Sequence, residues 1–188
     1  MVDNVIFGWH PLLMRLLAVF FLITINAFFV AAEFAVVSVR KSRIDHLVVE
    51  GDAQATTVQS LQQSLDRLLS STQLGITIAS LALGWIGEGT MATVIKYLFT
   101  FLPFSETINS RLSHSFAIPL AFFALVYLQI VLGELCPKSL ALLYSEQLAR
   151  FLAAPISVIS QVFKPFVDIL NLSNRFLLRL VGIEYTGQ

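Results

Sequence analysis

The sequence predicts an all-α integral membrane protein with three transmembrane helices, the second one broken, and amphipathic helices beside the membrane. Three observations carry that expectation. Of the 188 residues, 56% are hydrophobic and only 13% are charged, against about 25% charged in soluble domains. Mean hydropathy is +0.79. The apolar residues are gathered into long runs, and a bilayer crossing needs about 20 of them. Net charge is zero, so nothing in the bulk composition points to nucleic acid. Cys136 is the only cysteine, which excludes an intrachain disulfide and a cysteine-based metal site within one chain. The N-terminal run is too long for a secretory signal, and its basic cluster follows the run instead of preceding it.

The first helix is expected over 12–40. Its apolar span, 16–39, is interrupted by Thr24, Asn26, Glu33 and Ser38, and it stops at Arg40-Lys41-Ser42-Arg43. Such a basic cluster marks a cytoplasmic flank. The stretch 41–71 is polar, with apolar residues at helical spacing, and reads as juxtamembrane amphipathic helices broken near Gly51. The second helix is expected over 72–102. Gly87-Glu88-Gly89 interrupts it, so it reads as discontinuous, a form that membrane proteins keep for backbone lining a cavity. Residues 103–115 read as an outer loop. A third helix is expected over 115–145, kinked by Pro137. The run 151–163 is short and contains Pro155, so 146–182 reads as an interfacial helical belt rather than a fourth crossing. All of this forms one membrane domain over 1–188. Nine of the 12 Lys and Arg residues then fall on one side, which sets the N-terminus outside and the C-terminus in the cytoplasm.

Polar groups inside a membrane are costly and need a partner or a role. Asn26 and Glu33 share a face of the first helix. Gln73, Thr77, Ser80 and Gly84 form a stripe on the second. Such a stripe also serves plain helix packing. The third helix favours a site. In a regular helix the Gly133 carbonyl accepts from the amide of residue 137, but Pro137 has no N–H and its ring presses on that carbonyl. A freed carbonyl beside the Glu134 carboxylate is a ligand pair for a hard cation. Asn26, Thr77 and Ser80 could add neutral oxygens. The competing reading of Glu134 is an i,i+4 ion pair with Lys138. Glu33 could pair with Arg40 or another basic residue, and Glu88 could line an outer vestibule.

Three segments carry a resemblance: "NAFFVAAEFAVVSVRKSRIDHLVVEGDAQA", "LLSSTQLGITIASLALGWIGE" and "VLGELCPKSLAL". Together they resemble the transmembrane domain of the CNNM/CorC family of magnesium transport proteins, also known in bacteria as hemolysin-related proteins. The resemblance implies a homodimer in the bacterial inner membrane. It implies export of Mg2+, coupled to Na+, and no enzymatic activity. By motif position the metal site falls on Asn26, Thr77, Ser80, Gly133 and Glu134. Val30 and Ile76 stand where some members have polar residues. Family members usually continue into cytosolic CBS domains that bind adenine nucleotide. Those are expected to be absent from this chain, so nucleotide would act only through them. The alternatives are a polyamine exporter, with Glu33, Glu88 and Glu134 meeting ammonium groups, and a membrane scaffold or sensor that transports nothing.

Overall fold

The computed structural model describes residues 3–99 and 118–180. The outer loop expected at 103–115 lies outside the described residues. Apart from short turns, the described residues are helical: α1 (Asp3–Ser38), α2 (Lys41–Val49), α3 (Ala53–Gln63), α4 (Leu65–Phe99), α5 (Ile118–Leu143) and α6 (Ser145–Leu180).

The count of membrane helices corrects the expectation. Four helices, not three, are long and apolar enough to cross a bilayer: Leu12–Ser38, Leu65–Ile95, Ile118–Leu143 and Ser145–Arg179. The fourth is the segment expected as an interfacial belt. Pro155 and Pro165 both sit inside it without ending it. Each proline removes one backbone bond, and a long helix with apolar residues on both sides tolerates that loss.

The second helix is also not broken. α4 runs unbroken through Gly87-Glu88-Gly89. Gly87 is buried, and a Cβ there would lie 2.7 Å from Cδ2 of Leu125 on α5. This glycine allows two helices to approach; it does not interrupt one. The break near Gly51 is present: Gly51 has φ of +88° between α2 and α3, a conformation that side chains resist.

The chain divides into two compact units. The first comprises residues up to Val30 and Ile76–Leu140; the second comprises Ala31–Gly75 and Ala141 onward. In the first, Val19 and Ile23 of α1 pack with Leu83 of α4 and Leu125 of α5. Ala92 and Ile95 of α4 pack with Ala121 of α5. Lipid tails are as apolar as leucine, so membrane helices associate by close packing. Small residues at the contacts permit it.

In the second unit α3 packs on α2 and α6. Ala149, Leu152, Ala153 and Ile156 give α6 a buried stripe at i, i+3, i+4 and i+7. Ile44 on α2, with Ala55 and Val58 on α3, is fully buried. Two helix ends are satisfied by side chains. The Asp52 carboxylate accepts from the amides of Gln54 at 2.8 Å and Ala55 at 3.0 Å, which makes it the N-cap of α3. Gln62 Nε2 donates to the carbonyls of Val36 and Val39, both at 3.1 Å, and so satisfies the C-terminal end of α1. Arg150 pairs with Asp52, and Arg43 Nε lies 3.1 Å from Glu146 Oε2. These polar ties fix the position of α6 against the short helices.

Candidate functional site

The site lies in the first unit and begins with a local departure from α-helical geometry on α5. Residues Gln129–Leu135 form a π-helical turn, in which the amide of Cys136 donates to the carbonyl of Val131, five residues back. Such turns are inserted into α-helices, frequently at functional sites. Here the cause is written in the sequence. Pro137 is buried and can donate nothing to Gly133, so the regular ladder fails at that point.

The Gly133 carbonyl finds its partner on another helix. Asn26 Nδ2 on α1 donates to Gly133 O at 3.0 Å. Asn26 is only 2% exposed, so its amide is held by the protein alone. On α4, Ser80 Oγ lies 3.4 Å from Asn26 Oδ1, and Gln129 Nε2 on α5 lies 3.3 Å from Ser80 Oγ. Four residues from three helices thus form one chain of neutral polar groups. The two contacts at Ser80 are long and weak.

This cluster carries spare acceptor capacity. Gln129 Oε1 is buried and has no hydrogen-bond partner. A buried orphan acceptor costs about 1–3 kcal/mol. It lies 3.0 Å from where a Gly133 Cβ would stand, and Asn26 Nδ2 lies 3.1 Å from the same point. The missing side chain of Gly133 therefore leaves room for both amide groups beside its Cα, and the Asn26 amide reaches its carbonyl.

Of the five residues singled out in the sequence, the structure brings together Asn26, Ser80 and Gly133. Thr77 is exposed, one turn before Ser80 on α4. Glu134 is exposed, next in the chain to the buried Gly133. Gln129 was not among the five. Its signal is a single amide in an otherwise apolar run, one turn before Gly133.

A cleft of about 370 Å³ reaches this cluster. Ser80, Gly84 and Glu88 line it along one face of α4, and Gln129 lines it from α5. Glu88 thus belongs to the cleft wall, and no helix break is needed to place it there. No group of three or more His, Cys, Asp or Glu that could hold a metal occurs among the described residues. Any cation held here would meet mostly neutral oxygens.

Glu33 lies in the second unit. It accepts from Thr72 Oγ1 at 2.5 Å, and among the described residues it forms no ion pair with Arg40 or another base. Thr72 is fully buried and also stands within hydrogen-bonding distance of the Leu68 and Leu69 carbonyls. Only one proton serves these acceptors, so the carboxylate competes with the helix backbone for it.

Two ionisable groups outside the apolar cores are shifted. The amide of Ala55, aided by Arg150 and the Gln54 amide and opposed by partial burial, holds the Asp52 carboxyl below the usual carboxylate range. The hydrogen bond to Glu146 and that residue's charge raise Arg43 further.

Residues 17–188 match the family described as the Cyclin M transmembrane N-terminal domain, CNNM. Among similar proteins, the UPF0053 protein YugS of Bacillus subtilis is 39% identical over 173 residues, which cover 92% of this chain and 39% of that protein. The UPF0053 protein YrkA of the same organism is 40% identical over 87% of this chain and 37% of its own length. The UPF0053 inner membrane protein YfjD of Escherichia coli is 28% identical over 85% of this chain and 33% of its own. The chain thus spans well under half the length of these relatives. With the family matched over nearly all of its length, and with α1, α4, α5 and α6 each long enough to span a bilayer, the chain belongs to the multi-pass CNNM transmembrane family.

Proposed function

We propose that this chain is the ion-conducting part of a magnesium transporter, and that Mg2+ passes through the cluster built by Asn26, Ser80, Gln129 and Gly133. The observation that carries this reading is the Gly133 carbonyl. It is released by Pro137, turned across to α1, and surrounded by buried neutral polar groups with one acceptor unused. Mg2+ prefers oxygen ligands and keeps several of its waters. Amide oxygens, a hydroxyl and a carbonyl can accept from those waters or bind the ion directly. Asn26 must give up its hydrogen bond to Gly133 as the ion arrives, at a cost of about 1 kcal/mol.

Glu134 supplies the negative charge in this reading. Its carboxylate is one residue from the Gly133 carbonyl, on an exposed face of a membrane-length helix. A charge on such a face is expensive in lipid. That cost favours a homodimer, in which a second copy or trapped water covers the acid. Crosslinking in native membranes that yields only monomer would exclude the dimer. Export, with Na+ as the coupling ion, is the direction we assign, and Thr77 adds an oxygen beside Ser80.

Magnesium titration of four variants in detergent tests the site. Glu134→Gln and Pro137→Ala are each expected to weaken binding by about tenfold, equivalent to about 1.4 kcal/mol. Ser80→Ala is expected to weaken it less. Lys138→Met is expected to bind as wild type does. If Lys138→Met instead matches Glu134→Gln and Pro137→Ala is neutral, Glu134 is an ion-pair partner and not a ligand. Wild-type affinity in Glu134→Gln ends the cation-site reading.

The cleft between Glu88 and Ser80 favours one second reading. A space lined along two turns of α4 by Ser80, Gly84 and Glu88 offers a polyamine one acid and neutral oxygens. Spermidine that displaces Mg2+ in wild type but not in Glu88→Gln would support it.

A further inference from the structure

The second unit contains a small cavity of about 250 Å³ whose chemistry is the opposite of the cation site. Arg67 on α4 and Lys164 on α6 both line it, and no Asp or Glu does. Neither cation has an ion-pair partner among the described residues. Between them stand hydroxyls and an amide. Ser157, Ser160 and Gln161 come from α6 at one-turn spacing, and Ser64 comes from the end of α3.

Ser160 distinguishes this cavity from an ordinary polar surface. It is 4% exposed, and its hydroxyl is buried with no hydrogen-bond partner. Serines on a helix usually return their proton to a carbonyl one turn back, as Ser64 does to Ser60 O at 3.0 Å. Ser160 does not, so a buried donor faces the cavity wall unsatisfied. Two unpaired cations, an unused hydroxyl and no competing carboxylate are the requirements of an oxyanion. Guanidinium forks onto phosphate oxygens, and lysine adds a compact charge.

We propose that this cavity binds a phosphate group. The space is smaller than the roughly 300–1,000 Å³ of pockets that enclose whole small molecules, so the ligand is inorganic phosphate or the headgroup of an anionic phospholipid, not a nucleotide. Both sources present the same tetrahedral oxyanion. A larger cleft of about 720 Å³ shares Arg67 and adds Arg175, but Asp66 and Asp168 line it too and offset the two cations. That leaves the smaller cavity as the site.

The test uses the full chain in detergent. Thermal unfolding is followed while inorganic phosphate is titrated against chloride at matched ionic strength. In parallel, native mass spectrometry records whether phosphatidylglycerol or phosphatidylcholine is retained. A saturable rise in melting temperature assigns free phosphate. Retention of phosphatidylglycerol over phosphatidylcholine, without a phosphate effect, assigns a lipid headgroup. Either supports the site if Lys164→Met and Arg67→Met each weaken binding about tenfold. Ser160→Ala guards against misfolding. It should melt no lower than wild type without ligand, since it removes an unsatisfied group, and still bind several-fold more weakly. The proposal is overturned if neither probe binds, or if binding survives in the Arg67→Met, Lys164→Met double variant. Magnesium binding by these variants should match wild type, so failure here is separable from failure of the cation site.

Discussion

Gly87→Ala is the substitution that most directly tests how α1, α4 and α5 are assembled. The new methyl group would stand 2.7 Å from Cδ2 and 2.8 Å from Cδ1 of Leu125. Ordinary carbon contacts are about 3.5–4.0 Å, so the end of Leu125 must retreat by about 1 Å. It has little room to do so. Leu125 is 5% exposed and packs against Val19, Ile23 and Leu83. Overpacking of this kind costs about 1–3 kcal/mol. Alanine regains about 1 kcal/mol over glycine in a helix interior, so the net loss is about 0–2 kcal/mol.

Gly89, two residues on, is the internal control. A Cβ there meets no atom within 4 Å. Gly89→Ala should therefore gain up to about 1 kcal/mol from helix propensity alone. The two alanine variants should differ by about 1–3 kcal/mol, with Gly87→Ala the weaker. Reversible unfolding in mixed micelles measures this difference directly. If α4 were broken at these glycines, as the sequence suggests, both alanines would meet the same irregular backbone and shift stability alike. Equal stabilities would refute the close approach of α4 and α5 at Leu125.

Asp52→Asn removes the charge of the α3 cap while keeping an acceptor. Because folding holds the Asp52 carboxyl below its ordinary value, its contribution is complete above the unfolded value of about 3.9 and is lost as pH falls through the folded one. Thermal melts should show Asp52→Asn less stable than wild type at neutral pH, with the gap closing only below about pH 4; a gap independent of pH would refute the assignment. The Arg40–Arg43 cluster is expected to face the cytoplasm. A cysteine at Ser42, in a Cys136→Ala background, should resist an impermeant thiol reagent in intact cells and react once the membrane is opened. Labelling of intact cells would reverse that orientation.

The apolar runs of α1 and α5 were legible because their sequences are continuous, and the turn at Gly51 because nothing else there relieves the backbone. The convergence of Asn26, Ser80 and Gly133 was legible through Pro137, whose effect on the carbonyl four residues back is local chemistry. The failures have a common origin. Gly87 and Pro155 each read as breaks because local preference disfavours them in helices. At Gly87, a contact with a residue 38 positions away explains the glycine better than a break does. In α6, long apolar flanks carry the helix through both prolines. Gln129 escaped notice because a lone amide in an apolar run has no pattern of its own; its place one turn before Gly133 gains meaning only once Asn26 and Ser80 are seen beside it.

The distribution of charge around that turn follows from desolvation. A carboxylate buried as deeply as Asn26, at 2% exposure, would need a permanent counter-ion. It would then hold a divalent cation too firmly to release it, or carry an uncompensated charge whenever the site stood empty. Amides and hydroxyls avoid both states. They can also hydrogen-bond to one another, as the chain from Gln129 through Ser80 and Asn26 to Gly133 does. The strained member of that chain is the unpaired oxygen of Gln129, and an arriving cation would relieve it. In the proposed site Glu134, exposed beside the buried carbonyl, would add attraction without demanding an ion at all times. For the proposed magnesium path, in which an ion would load and unload at every cycle, this separation of buried neutral ligands from an accessible charge is the arrangement that desolvation favours.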